Sequence, residues 1–489
     1  MEETVWSLAP AVAAIVLALV TKEVYFSLLV GIVTGVLFFS GFHIGGAFET
    51  MFSIMGEKLG SNSNILIFLV LLGMLVSLMA KSGASRAYGQ WASRSIRSER
   101  GALFATAGLG ALIFVDDYFN CLTVGAVMSP VTDRFQISRA KLAYIIDATA
   151  APVCILAPVS SWAAAVGSSL PDGSAIDGFG LFLRTIPFNL YAILTLVMVA
   201  FLILFDFDFG KMKRPYQAAP EKEENEPADK TGKVSDLLIP IVSLILFCVG
   251  AMLCTGGILD GVSAARAFAE ADSALSLAIG AFLAILVVFV LYLPRRVITF
   301  QQFAQSLVDG FRAMVPAVLI LTLAWTLSGV CGPDYLNAGG FVAHLVGKSQ
   351  LAHAAVPVAF FLIASGLAFA TGTSWGTFSI LIPISIAVFG GEESRIFVIT
   401  VAAVLAGAVC GDHMSPISDT TILASTGAGC SHIEHVSTQI PYILLVAGCC
   451  CVGYLLAGLT QNGWIALGVS GALLLTALSV IYWKTKRAV

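Results

Sequence analysis

Charge is scarce in this chain. Only 11% of its 489 residues are Asp, Glu, Lys or Arg, against 58% hydrophobic and a mean hydropathy of +0.92. A water-soluble domain carries about 25% charged residues, so a soluble globular fold is excluded. Basic tracts are also missing, and with a net charge of −4 nothing points to nucleic acid as a partner. The 10 cysteines lie mostly in apolar runs, Cys449-Cys450-Cys451 among them, without metal-ligand spacing. They read as small buried hydrophobes. No nucleophile–base pair stands out, so the chain is not expected to be an enzyme or to carry a cofactor. His432-Ile433-Glu434-His435 is neither HExxH nor HxxEH, and it is expected in a cytoplasmic loop. The N-terminus is acidic at Glu2 and Glu3, where a cleavable signal peptide would be basic.

Apolar runs near span length recur throughout, as a multi-pass protein of a bacterial inner membrane requires. Full spans are expected near 5–21, 23–41, 64–81, 142–168, 186–205, 236–254, 274–293, 313–331, 396–430, 441–459 and 464–483. Two further stretches, 101–131 and 354–391, have polar or glycine-rich middles. Basic residues flank the first on both sides: Lys81, Arg86, Arg94, Arg97 and Arg100 before it, Arg134, Arg139 and Lys141 after it. Both flanks are therefore expected in the cytoplasm, which makes 101–131 a re-entrant hairpin with its tip inside protein. The second stretch ends in the acidic Glu392-Glu393 and is expected to enter from the opposite side. Residues 206–235, rich in Lys, Glu and Pro, read as a solvated, mobile cytoplasmic linker. They separate a first half, 1–205, from a second, 236–489.

The halves echo each other. Ser27-Leu28 with Gly31 returns as Ser276-Leu277 with Gly280, and Gly110 and Phe119 return as Gly366 and Trp375. Ser138-Arg139 then matches Ser394-Arg395, Cys154 matches Cys410, and Pro158-Val159-Ser160 matches Pro416-Ile417-Ser418. The series is ordered and its separation nearly constant. With the charge-derived orientation, matched elements point in opposite directions. The expected fold is thus an all-α polytopic membrane protein of two inverted-topology repeats, each with a re-entrant hairpin and an interrupted transmembrane helix. Such repeats hold their site at the interface near the midplane.

Four segments should converge there. The first tip brings Asp116, Asp117 and Asn120. The second brings Thr371, Thr373 and Ser374. Ser160 and Ser161 follow the break at Pro158, and Asp147 lies on the helix before it. Asp412, Ser415, Ser418, Asp419 and Thr420 surround the break at Pro416. Segments 101–131, 142–183, 354–394 and 396–483 contain no Lys and no Arg. Carboxylates buried without a fixed cation must be protonated or bind positive charge. Hard oxygen donors suit sodium, with Asp117, Asp412 and Asp419 as the carboxylate ligands and protons as natural competitors. That exclusion alone couples the two ions. His413 is a candidate proton relay. Asp412 and Asp419 could instead cap half-helices, and Asp147 could pair with Lys141 or Arg139. A small organic solute, its amino group met by spare carboxylates, is the alternative cargo.

Gly411-Asp-His-Met-Ser-Pro-Ile-Ser-Asp-Thr-Thr421 resembles the signature of NhaC-type sodium/proton antiporters. So do Ser425-Thr-Gly-Ala428, His435-Val436 with Thr438-Gln439 and Pro441-Tyr442, Phe114–Gly125, Asp147–Pro152 and Pro158–Trp162. The resemblance implies an ion-transporter-superfamily fold, a homodimer and an elevator mechanism. It also implies exchange of sodium for protons, or of organic solutes such as malate, lactate or amino acids. Ile422-Leu423 departs from the Asn-Leu of some cation exchangers, which leaves the substrate open.

Overall fold

The computed structural model describes residues 4–487 apart from 22, 85–86, 88–90, 92–93, 168, 171–177, 214–231, 265–266, 268–270, 333, 338–349, 390–393 and 417. Among the described residues there is helix and no strand. The first half runs α1 (Ala9–Thr21), α2 (Val24–Phe39), α3 (Ile44–Ser61), α4 (Ser63–Lys81), α5 (Glu99–Leu112), α6 (Asp117–Arg134), α7 (Arg139–Thr149), α8 (Ala151–Cys154), α9 (Ser161–Gly167), α10 (Gly178–Thr185) and α11 (Leu190–Phe205). The second runs α12 (Ser235–Thr255), α13 (Ser273–Tyr292), α14 (Phe300–Val330), α15 (Gln350–Thr371), α16 (Ser374–Val388), α17 (Arg395–Met414), α18 (Asp419–Ala428), α19 (His432–Thr460) and α20 (Gly463–Arg487).

Among the described residues 8 helices are long and apolar enough to cross a membrane, or up to 9 with the bent pair Gly178–Phe188 and Leu190–Phe205. The fold is that of a multi-pass membrane protein. Both expected hairpins are helix–break–helix units, α5–α6 and α15–α16, and both expected interrupted spans are broken, between Cys154 and Ser161 and between Met414 and Asp419. The arms differ in length. α15 has 22 residues, about 33 Å at 1.5 Å per residue and long enough to cross, whereas α5 has 14.

Three expectations need correction. The helix expected from 441 begins at His432, so His432–His435 is its first turn and not a loop. Its His435 and Gln439 face Asp147 on α7, which an apolar-window reading discards. The span expected from 313 is the end of a 31-residue helix whose start is fixed by a Thr299–Gln302 capping box. The start of the linker is packed rather than solvated: Phe207 and Met212 are buried, and Asp208 accepts from Lys141 Nζ at 2.9 Å. Aromatic residues at 205, 207 and 209 give this stretch an apolar face; Phe209 meets the Tyr442 ring edge-on at 4.3 Å between centroids. The remainder, 214–231, lies outside the described residues.

α17 is enclosed by protein along its entire apolar window. Small residues permit this. A Cβ on Gly407 would sit 2.4 Å from Phe361 O, and one on Gly411 2.1 Å from Ser365 O, so α17 lies backbone-to-backbone on α15.

Candidate functional site

Each break is built from its own sequence. Between α5 and α6, Asn120 reaches back to donate from Nδ2 to Gly110 O (2.7 Å) and Ile113 O (3.0 Å), carbonyls that the end of α5 leaves without helical partners. Ser160 caps α9, accepting from Ala163 N at 3.2 Å and donating to Cys154 O at 2.8 Å. Ser161 N donates to Val115 O at 3.0 Å, which ties this break to the first tip. At the second tip Gly372 takes a left-handed φ of +68°, and Gly376 N donates to Thr373 Oγ1 at 3.3 Å. Thr371 Oγ1 donates back to Leu367 O at 2.8 Å, and Ser374 is buried. In the last break Ser415 N donates to Asp412 O at 2.9 Å, and Ser418 caps α18 by accepting from Thr421 N at 3.2 Å. Asp419 opens α18, and its side chain lies outside the described residues.

The breaks come together. Asp116, Asp117, Asp147 and Asp412 are all buried, and Thr421 Oγ1 reaches both Asp147 Oδ2 (3.2 Å) and Asp412 O (3.4 Å). Trp162 Nε1 donates to Asp117 Oδ2 at 3.0 Å. The same indole stands edge-on to Trp375, 6.2 Å between centroids, so α9 and the second tip are neighbours. Thr420 Oγ1 donates to Asp412 Oδ2 at 2.6 Å and lies 3.1 Å from Ser418 Oγ. α6 crosses α18 with no side chain between them: a Cβ on Gly125 would sit 2.3 Å from Gly427 C.

Asp147 has partners other than the expected Lys141 or Arg139. Its Oδ2 accepts from Thr421 Oγ1 (3.2 Å), Gln439 Nε2 (3.0 Å) and His435 Nε2 (3.3 Å). Lys141 pairs instead with Asp208, and Arg139 with Asp133. Gln439 Nε2 also donates to His413 O at 2.6 Å, bridging α7 to the end of α17. His413 Nδ1 lies 3.0 Å from Tyr191 OH, and its Nε2 lies 3.8 Å from Asp147 Oδ1. Trp162, Tyr191, Thr421, His435 and Gln439 were absent from the expected set. The spacing of His435, Gln439 and Tyr442 along one face of a helix is the signal that would have found the last two.

Among the described residues no group of three or more His, Cys, Asp or Glu is gathered as metal ions require. A sodium ion as cargo would instead need a mixed set of carboxylate, hydroxyl and freed carbonyl oxygens, the donor types these breaks supply.

The comparisons with known proteins agree with this architecture. A model of the Na+/H+ antiporter family matches residues 163–459. An uncharacterized protein of Haemophilus influenzae is 39% identical over 498 residues, covering 98% of this chain and 95% of that one. The malate-2H+/Na+-lactate antiporter of Bacillus subtilis is 34% identical over 145 residues, 29% of this chain and 30% of that protein. Among solved structures, the YdaH transporter of Alcanivorax borkumensis shares the fold at 12% identity, with a TM-score of 0.54 over 87% of this chain and 88% of that one.

Proposed function

The chain belongs to the Na+/H+ antiporter family, a family of secondary transporters, and from that premise we propose that it exchanges Na+ for H+ through the carboxylates at its helix breaks. One observation carries the reading: Asp116, Asp117, Asp147 and Asp412 are all buried, in segments without Lys or Arg. Ionised groups inside a membrane protein are costly and mark an ion path. Asp117 and Asp412, with Asp419, release protons on one side and take Na+ from it. Hydroxyls of Thr420 and Ser418 complete the shell. The cargo-loaded hairpins then move as an elevator against the rest of a homodimer in a bacterial inner membrane.

The inverted-repeat reading, with halves 1–205 and 236–489 joined by 206–235, has local support. Ser27 Oγ donates to Glu23 O and lies 3.5 Å from Thr21 Oγ1. Ser276 Oγ donates to Asp272 O and lies 2.8 Å from Thr255 Oγ1. The same two contacts recur in matched elements.

Inverted vesicles with a preset proton gradient test the proposal. Added Na+ should dissipate the gradient, and Asp117→Asn or Asp419→Asn should abolish the response. Normal exchange in both variants would overturn it.

A second reading, coupled exchange of a small organic solute, is favoured by the similarity to the malate-2H+/Na+-lactate antiporter. The polar cluster around Asp147, larger than a single ion needs, also favours it. Solute-dependent Na+ flux in proteoliposomes would separate this from simple exchange.

A further inference from the structure

Two histidines flank Asp147, and their partners fix where their hydrogens lie. Asp147 Oδ2 accepts from Thr421 Oγ1, Gln439 Nε2 and His435 Nε2. An ionised carboxylate only accepts, so His435 Nε2 carries a hydrogen. The buried Tyr191 hydroxyl donates to His413 Nδ1, which turns His413 Nε2–H toward Asp147 Oδ1 at 3.8 Å. One ring nitrogen keeps an open lone pair: His435 Nδ1 is buried and has no hydrogen-bond partner among the described residues. A proton taken there makes an imidazolium whose other N–H already meets a carboxylate. The pair is net neutral, so no uncompensated charge is buried. Returning the proton to solution leaves one negative charge on Asp147, which its hydrogen-bond donors stabilise.

α7, α11, α17 and α18 pack against α19. α7 meets His435 with Asp147; further along it, Tyr144 stacks on Tyr442 and Lys141 pairs with Asp208. α17 brings Asp412 and His413, α11 brings Tyr191, and α18 begins at Asp419. On α19 itself, His432 is engaged by Ser425 and by Pro416 O, and Glu434 is the acid of the first turn. The 210–212 turn, which holds Lys211, meets α19 at Pro441, and α15 and α20 meet it at Gly458 and Gly453, several turns away. Among the described residues Asp147 is the group bonded to the His435 ring.

One hydroxyl links this pair to the Asp412 break. Thr421 Oγ1 lies 3.2 Å from Asp147 Oδ2 and 3.4 Å from Asp412 O, with one hydrogen for two acceptors. Both separations exceed the about 2.7–2.8 Å of a committed O–H···O bond, as a shared hydrogen requires. With His435 neutral, Asp147 bears its full charge and draws the hydrogen, so the Asp412 carbonyl is released to a cation. With His435 protonated, the imidazolium satisfies Asp147, and the hydrogen turns to Asp412 O, where it opposes a cation. A bound proton and a bound Na+ exclude each other, which is the sign that exchange needs.

We infer that His435 Nδ1 is a proton-binding position of the transporter, coupled to Na+ at the Asp412 break by the Thr421 hydroxyl. Thr421 is a positioning residue, since it acts through the Asp412 carbonyl. The inference rests on the exchange reading above and adds to it a proton position apart from the Na+ ligands. It gives the Asp147 cluster a role in the exchange of ions alone.

Na+ binding to purified full-length protein, followed by calorimetry at a series of pH values, provides the test. In the parent the Kd for Na+ should rise as pH falls. His435→Gln keeps an amide N–H for Asp147 and cannot take the proton. It should lose at least about fivefold of that rise, the lower end of usual coupling between two sites. Thr421→Val, which keeps the volume and loses the hydroxyl, should lose it likewise, whereas Thr421→Ser should retain it. The inference is overturned if His435→Gln or Thr421→Val follows the parent's pH dependence, or if Thr421→Ser behaves as Thr421→Val does. Should His435→Gln fold poorly, the two Thr421 variants decide. Failure of the exchange reading shows separately, as a parent that gives no Na+-driven proton flux in inverted vesicles.

Discussion

The Trp162 indole N–H donates to the Asp117 carboxylate at 3.0 Å, joining the first turn of α9 to the first turn of α6. Two helix starts 45 residues apart in the chain are thereby fixed to one another. The bond orients a buried acid that lies on the first hairpin tip.

Trp162→Phe should keep the ring contacts with Trp375 and Phe378 while losing this donor. A hydrogen bond to a charged group contributes about 1.5–3 kcal/mol, so the Na+ concentration giving half-maximal exchange should rise about tenfold or more. Fluorescence-quench assays of proton flux in inverted vesicles check this. Unchanged Na+ dependence would detach Asp117 from the ion path.

Thr420→Val should act on the second carboxylate, since Thr420 Oγ1 donates to Asp412 Oδ2 at 2.6 Å. Its volume is nearly that of threonine, so packing survives and the hydroxyl is lost. Apparent Na+ affinity should drop about tenfold, and Thr420→Ser should restore most of it. Equal affinities in the two variants would assign the hydroxyl no part in the site.

Gly125→Ala tests the crossing of α6 over α18. The new Cβ would meet Gly427 backbone at 2.3 Å, where neither partner has a flexible end to yield. Overpacking of this kind costs about 1–3 kcal/mol and should lower the melting temperature in detergent. Gly108→Ala, with nothing within 4 Å, is the control and should be neutral or slightly stabilising.

Arg295→Met tests a structural ion pair away from the site. Arg295 meets the buried Asp236 with both terminal guanidinium nitrogens, and Tyr292 OH donates to Asp236 O. Removing the arginine strands a buried carboxylate. The cost should be about 2–3 kcal/mol, below the full value for a buried pair because Arg295 is itself partly exposed. Melting temperature should fall while the Na+ dependence of exchange per folded molecule stays as in the parent.

The breaks were legible because they violate what a membrane helix requires. Asp116-Asp117, Pro158, Gly372 and Pro416 stand out from apolar surroundings, and all four coincide with interruptions in the helices. The partners of Asp147 were not legible. His435 and Gln439 come from α19, and Tyr191, which meets His413 rather than Asp147, comes from α11; all are remote in sequence, and only packing brings them near. Polar residues at the start of an apolar helix look the same whether they face water or a buried acid. Lys141 misled for a related reason: its nearest carboxylate in space, Asp208, lies on a stretch whose composition reads as linker. The site positions expected on the second tip are there, but the hydroxyls of Thr371 and Thr373 are engaged with their own backbone.

α17 carries Asp412 and His413 at one end and touches protein on every side of its apolar window. An ordinary membrane helix shows tolerance to larger side chains every third or fourth position, wherever it faces lipid. α17 has no such face. A saturation scan across 396–411 should therefore lack helical periodicity, with bulk excluded all the way round and most strictly at Gly407 and Gly411. Variation in natural relatives would be confined in the same way, to exchanges among alanine, glycine, valine and their near equals in volume.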